Sequence, residues 1–364
     1  LTGDKSAYAT VNMRFAQIAG EVGLAEIVLT GPLTMNNISV GGTLAIRSKT
    51  ELASLKMINP RIGNALELMG VEMKGEVDIQ FANVARNVFI TGGTFPQRVR
   101  LIDSTISGNI ITSGATFSFV DLGGTTVQGE LEIGDKEAKN SWTGDSGLNL
   151  RNTKVNALSD AGEESWPEKL ELDEFAYASL ITATWGNGRT SDIVNRPVSW
   201  FLKWLDKDKT YSSQPYNYLA RVLNKAGFSD EANRILVAAK DRERDLARSD
   251  GRWVKWIGFS LLKWTIGYGY GARYFYSLIW VFVLGLIGVW VVGTVQTGNM
   301  HHASLLDRVG FSLDILLPVI EFNDKYKLDF HGWQLAYFYI HKMMGFILSS
   351  FVLAGLAGIT KREA

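Results

Sequence analysis

The stretch VDIQFANVARNVFITGGTFPQRV, residues 77–99, sets Val77, Val88 and Val99 eleven residues apart, and Ile79, Ile90 and Leu101 each follow two residues behind one of them. The series runs back through Leu66, Leu55, Leu44, Leu33 and Val22 to Val11 and forward to Ile110, then slips by one residue to Val120 and Leu131. An aliphatic residue with a same-face partner two positions on describes a short strand. A second apolar set lies between these: Ile18, Leu29, Val40, Ile62, Met73, Val84, Phe95, Ile106, Phe117 and Val127, interrupted only by Glu51. Inward positions therefore alternate in steps of five and six, as in a chain wound around a square shaft. The expected fold is mainly β, a β-solenoid of about 22 residues per coil with four faces. Gly42, Gly75, Gly108, Gly124 and Gly129 are expected at corners that need positive φ. After Ile133 the register resumes at Leu148, Leu150 and Val155, then at Leu170, Leu172 and Tyr177, and the polar stretches 134–146 and 157–168 read as loops leaving the shaft.

This pattern, with traces such as Ala82-Asn83-Val84, resembles the bacterial pentapeptide-repeat solenoids and, more loosely, the bactofilin type, over most of residues 1–182. It departs from a strict pentapeptide repeat in that every second step has six residues. The resemblance implies a bacterial protein with a solenoid used for recognition. Solenoid acyltransferases use a six-residue period and a catalytic histidine, whereas no histidine precedes His301 here. Asp78, Arg98, Arg100, Asp103 and Asp121 read as solvated outward side chains, so no catalytic residues are assigned and the chain is expected not to be an enzyme.

The 37 basic and 37 acidic residues balance, which gives no global field for nucleic acid, and none is expected as a partner. The absence of cysteine excludes disulfides, thiolate metal sites and cysteine nucleophiles. No cofactor and no metal site are assigned; His301, His302, His331 and His341 fit no compact ligand spacing. Leu1 is not a methionine and the first twenty residues hold no signal-peptide pattern, so the natural start is expected upstream.

From about Asp192 the period becomes helical. Tyr216, Leu219, Ala220, Leu223, Gly227, Ala232, Leu236 and Ala239 resemble one tetratricopeptide unit, so residues 192–250 read as an α-helical adaptor hairpin. Residues 251–272 read as an interfacial amphipathic segment, anchored by Trp253, Trp256, Lys263 and Trp264. Within 274–359, Tyr274 to Val295 carries no charge and is long enough to span a bilayer; Met343 to Ile359 is a second span, preceded by an aromatic belt with Trp333 and a snorkelling Lys342. Thr265-Ile-Gly-Tyr-Gly269 resembles a potassium-channel filter but precedes both spans, where it reads as a glycine-rich turn.

Between the spans, helical spacing puts Asp307, Asp314 and Glu321 on one face, a candidate acidic pore lining or else an outer surface helix. Ser350, Ala354 and Gly358 form a candidate helix-packing face, with Gly285 and Gly288 as a small patch on the first span. Arg252, Lys255, Lys263 and Arg273 before the first span and Lys361 and Arg362 after the second put the solenoid and the C-terminus in the cytoplasm, in a bacterial inner membrane. The expected function is a non-enzymatic integral membrane protein whose cytoplasmic solenoid binds, senses or scaffolds. Its partners are the lipid bilayer and a protein partner or further copies of the chain. The alternative is a homo-oligomeric ion channel-like pore gated by the solenoid.

Overall fold

A computed structural model of the chain describes residues 2–181, 193–294, 304–317 and 332–356. The chain divides into two compact units, Leu1–Ala232 and Asn233–Ala364.

The first unit is a parallel β-solenoid. Val77 pairs with Leu55 below and Val99 above, while Val88 pairs with Leu66 and Ile110. The eleven-residue series is therefore two interior columns offset by half a coil, and one coil takes 22 residues from Val77 to Val99. Strands such as Val77–Gln80, Asn83–Val84, Val88–Thr91 and the start of Thr94–Ile102 make the four faces. Val77 and Val88 are fully buried, and the stacked coils pair their backbones up and down the shaft.

The eleven-residue period has a backbone cause that composition hides. Phe15, Glu26, Asn37, Ser48, Asn59, Gly70, Phe81, Gly92, Asp103 and Gly114 all take positive φ, one left-handed corner every eleven residues. Most are not glycine. Of the glycines expected there, only Gly124 has positive φ. Gly75 and Gly108 sit instead where coils touch: a Cβ would lie 2.4 Å from the Ala53 carbonyl oxygen and 2.2 Å from Asn87 Oδ1, respectively. Glu51 does not interrupt the second column. Ser48 and Lys49 are both left-handed, and the extra corner residue brings Leu52 onto Leu29 and Met73. Higher up, this column turns aromatic, with Phe95 and Phe117 rings stacked at 5.3 Å and Trp142 at 5.4 Å from Phe117.

Both excursions are shorter than expected. Ser141–Asn149 is a strand on Thr116–Asp121, and Lys154–Asp160 is a strand on Thr126–Ile133. Two helices close the open edge of the last coil, α1 (Val198–Asp206) and α2 (Gln214–Lys225). The Leu172 amide donates to Asp208 Oδ2 at 2.9 Å and the Glu174 amide to Gln214 Oε1 at 3.0 Å, which blunts an edge that would otherwise invite further strands. Beneath them the fully buried Asp160 accepts from Trp166 Nε1 at 2.6 Å, the Gly162 amide at 2.8 Å and Arg196 Nη1 at 2.9 Å.

The remaining helices are α3 (Ser229–Ser249), α4 (Trp253–Ile266), α5 (Tyr276–Gly293), α6 (Leu305–Leu316) and α7 (Trp333–Leu356). The boundary between the units falls inside α3, so α1 and α2 lie in the same unit as the solenoid. The reason is that α1 and α2 cap the last coil. Among the described residues two helices are long and apolar enough to cross a membrane: α5, with mean hydropathy 2.2, and α7 over Trp333–Leu353, with 1.3. Trp333 to Lys342 is therefore not a prelude to the second apolar helix but its first turns.

Candidate functional site

The feature that sets the second unit apart is the short helix α6 between α5 and α7. Its 12 residues give about 18 Å of helix, against about 27 Å for the 18 of α5. Ser304 opens it with a capping box: its hydroxyl accepts the Asp307 amide, and the Asp307 carboxylate accepts the Ser304 amide at 3.1 Å. Asp307 is thus occupied in holding the helix start.

From there α6 runs antiparallel to α5. A Cβ on Gly293 would lie 2.9 Å from Arg308 Nη1, and one on Gly288 would lie 2.0 Å from Ser312 Oγ. The Ser312 hydroxyl donates to the Gly285 carbonyl at 2.9 Å, beside the midpoint of α5. Arg308 meets the carboxyl end of α5, where a cation suits the helix dipole. Along α7 the same helix runs parallel: Phe311 packs edge-on against Phe338 at 5.7 Å, His341 meets Ser312, and a Cβ on Gly345 would lie 1.8 Å from the Leu316 carbonyl oxygen. The carboxyl end of α6 therefore rests midway along α7, where only glycine at 345 admits its backbone, and its last turns lie beside the middle of α5.

His341 joins the three helices. Its Nε2 lies 3.2 Å from the Ser312 carbonyl oxygen and its Nδ1 3.0 Å from the Tyr337 hydroxyl. A carbonyl only accepts, so Nε2 carries the proton, and Nδ1 accepts from Tyr337. The imidazole is 1% exposed. Ser312 and Gly345 escape sequence reasoning, because one serine and one glycine in apolar helices carry no pattern.

Asp314 lies two residues beyond Ser312 and is half-buried. Glu321 lies outside the described residues. Ser350 is exposed within the chain, its hydroxyl donating to the Phe346 carbonyl at 2.8 Å; the Ala354 side chain and Gly358 lie outside the described residues. Within the chain, the closest approaches among the three helices are at Gly288, Ser312 and Gly345. Of the histidines, His301, His302 and His331 are also outside, and among the described residues no group of three His, Asp or Glu is placed to hold a metal.

The helices α3 and α4 form a clasped antiparallel pair. Lys263 Nζ lies 2.8 Å from Asp241 Oδ1 and Lys255 Nζ 2.8 Å from Glu243 Oε1. Burial works against ionisation of Glu243, but hydrogen bonds from Lys255 and Lys240 outweigh it and hold the carboxyl below its usual range. Trp256 packs edge-on against Trp253 at 5.9 Å and lies under Arg248. Trp253, Trp264 and Trp333 are exposed. After α4, Gly267 and Tyr268 are left-handed, and the Tyr268 hydroxyl donates to Asp241 at 2.9 Å. The filter-like stretch is this turn, tied to α3.

On the solenoid, an open groove lies between the last coil and α2. Lys154, Arg221 and Lys225 rim it over Val155, Ala176, Ala178 and Val222, with no acid in its lining. Arg221 stands 5.1 Å over the Tyr218 ring. No sequence signal joins these cations, since Lys154 is a solenoid residue and the others lie on a helix. Elsewhere the ladder Lys56, Asp78, Arg100, Asp121 alternates in sign up one face; Asp121 is not solvated as expected but buried, its carboxylate accepting from Asn149 Nδ2 at 2.8 Å.

Compared with protein-family models, curated proteins and solved structures, the chain matches none.

Proposed function

We propose that this is a non-enzymatic membrane protein in which α5 and α7 cross the bilayer, α6 enters it part-way, and the solenoid is a cytoplasmic recognition module in a bacterial inner membrane. The observation that carries the recognition reading is the groove of Lys154, Arg221 and Lys225, three cations without an acid over an apolar floor. Such a groove fits an acidic segment of a partner protein. The orientation rests on positive residues flanking the apolar helices. Lys255 and Lys263 are paired in the folded chain, but that rule acts during insertion, before the clasp forms. Titration of a fluorescein-labelled glutamate-rich peptide into the detergent-purified chain tests the module. Binding should weaken with salt and fall at least tenfold in the double variant Arg221→Glu/Lys225→Glu; equal signals from wild type and variant would sink it.

A second reading, a homo-oligomeric ion path, is favoured by one observation: the carbonyl end of α6 lies midway along α7, where partial negative charge suits a cation. Here Asp314→Asn should lower cation conductance in planar bilayers without lowering expression. Electrical silence from a verified oligomer would retire this reading.

A further inference from the structure

The outer face of α4 has no partner among the described residues, and its chemistry says what covers it. Val254, Ile257, Leu261 and Trp264 succeed each other at steps of three, four and three residues, so they share one stripe of the helix. They are 87%, 50%, 60% and 69% exposed, and Trp253 beside them is 56% exposed. No charged residue interrupts the stripe. Interfacial helices ordinarily add lysines that reach the headgroups. Here both lysines turn the other way: Lys255 is bonded to Glu243 and Lys263 to Asp241, both on α3.

We infer that the α3–α4 hairpin is a lipid-surface float: α4 buries its outer stripe at the boundary of headgroups and acyl chains, by apolar contact alone, while its lysines hold α3 against its back. The occupant is the bilayer rather than another protein because α4 is joined to the first apolar helix. Trp280 Nε1, in the first turns of α5, donates to the Trp264 carbonyl at 2.7 Å. The end of α4 is thereby fixed at the end of a helix that crosses the bilayer in the proposed function, and the inference rests on that crossing. Without a cationic contribution, its seating is independent of lipid charge and of salt. This differs from the headgroup-facing role that sequence assigns to Lys263.

The chain has no native cysteine, so single cysteines can be placed at Val254, Leu261, Leu286 and Asp245 of the full chain and labelled with an environment-sensitive fluorophore. Leu286 is on α5 and 55% exposed; Asp245 lies on α3. The protein is reconstituted into nanodiscs of phosphatidylcholine carrying brominated acyl chains, with or without phosphatidylglycerol. Probes at Val254 and Leu261 should be quenched equally in neutral and anionic discs. They should stay quenched in about 1 M salt, where the Debye length is about 3 Å, and the Asp245 probe should remain unquenched. Quenching at Leu286 with none at Val254 and Leu261 overturns the float and leaves the crossing intact. Quenching at Val254 only with anionic lipid, or lost in salt, overturns the apolar mechanism. No quenching at Leu286 brings down the crossing and the float with it.

Discussion

The solenoid and the α5–α7 helices close their interiors in different ways. The solenoid fills its shaft with stacked Val, Leu, Ile and Phe, and its buried hydroxyls sit at corners on backbone carbonyls, as Thr125 does on Leu101 at 2.7 Å and Thr153 on Leu122 at 2.8 Å. The three helices keep only a small apolar cluster, Val291, Val292 and Phe338 with Phe311 and Ile315 against it, and beside it they close by removing side chains at Gly288 and Gly345, so that one serine and one histidine link them. In water, burial of large apolar groups is itself the driving force. Between helices whose outer faces already suit lipid it is not, and close approach with hydrogen bonding takes over. A single polar insertion should therefore cripple the first region, while a single methyl should disturb the second.

The largest expected effect is Val88→Asp. Val88 is 0% exposed and pairs with Leu66 and Ile110. An unpaired carboxylate there costs several kcal/mol or forces its own protonation, and in a stack whose coils lean on nearest neighbours the loss spreads to adjacent coils. Circular dichroism of the detergent-purified variant should show the β-signal melting far below that of wild type. An unchanged transition would break the column register.

Gly345→Ala should come next, at about 1 to 3 kcal/mol, the range for overpacking a filled site. On propensity alone alanine improves a helix by about 1 kcal/mol, so the sign separates the two accounts. With the added Cβ 1.8 Å from the Leu316 oxygen, α6 must shift. Thermal aggregation in detergent should start at lower temperature, while Ser350→Ala, at an exposed position, should match wild type. A stabilised Gly345→Ala would mean that α6 does not lie between α5 and α7.

The same contrast explains what could be read in advance. The aliphatic columns are legible because their period is fixed by backbone geometry and filled by one residue class. The corners that set the period are not legible, since Phe15, Glu26, Asn37, Phe81 and Asp103 share nothing but a left-handed φ. Trp142 was hidden because the excursion before it moves the register. The helix holding Asp307 and Asp314 is visible between two apolar runs, but its depth depends on Gly345 and Ser312, single small residues that no period marks. The cationic groove brings Lys154 beside Arg221 and Lys225 only after the last coil is capped by α2.

The smallest expected effect tests whether the cap obeys the rule of the shaft beneath it. Tyr177 stands in an interior column, paired with Val155, and its hydroxyl is buried without a hydrogen-bond partner among the described residues, as is Trp204 Nε1. Both side chains line one small enclosed cavity with Trp166, Ile193 and Leu219. Removing an unsatisfied buried hydroxyl sheds its desolvation cost, so Tyr177→Phe should be neutral or raise stability by up to about 1 kcal/mol. Burial pushes the phenol far above its ordinary value of 10.0. A group whose folded pKa is raised contributes stability that is complete below the unfolded pKa and lost as pH rises above it. Wild type should therefore lose stability above about pH 10, through this tyrosine, and Tyr177→Phe should lose less over the same window. Parallel urea melts at pH 8 and at about pH 10.5 read both effects. A clear loss of stability in Tyr177→Phe at pH 8 would mean that the hydroxyl is satisfied, through a water shared with Trp204, and that the cap is built on polar contacts rather than on the apolar stacking of the coils.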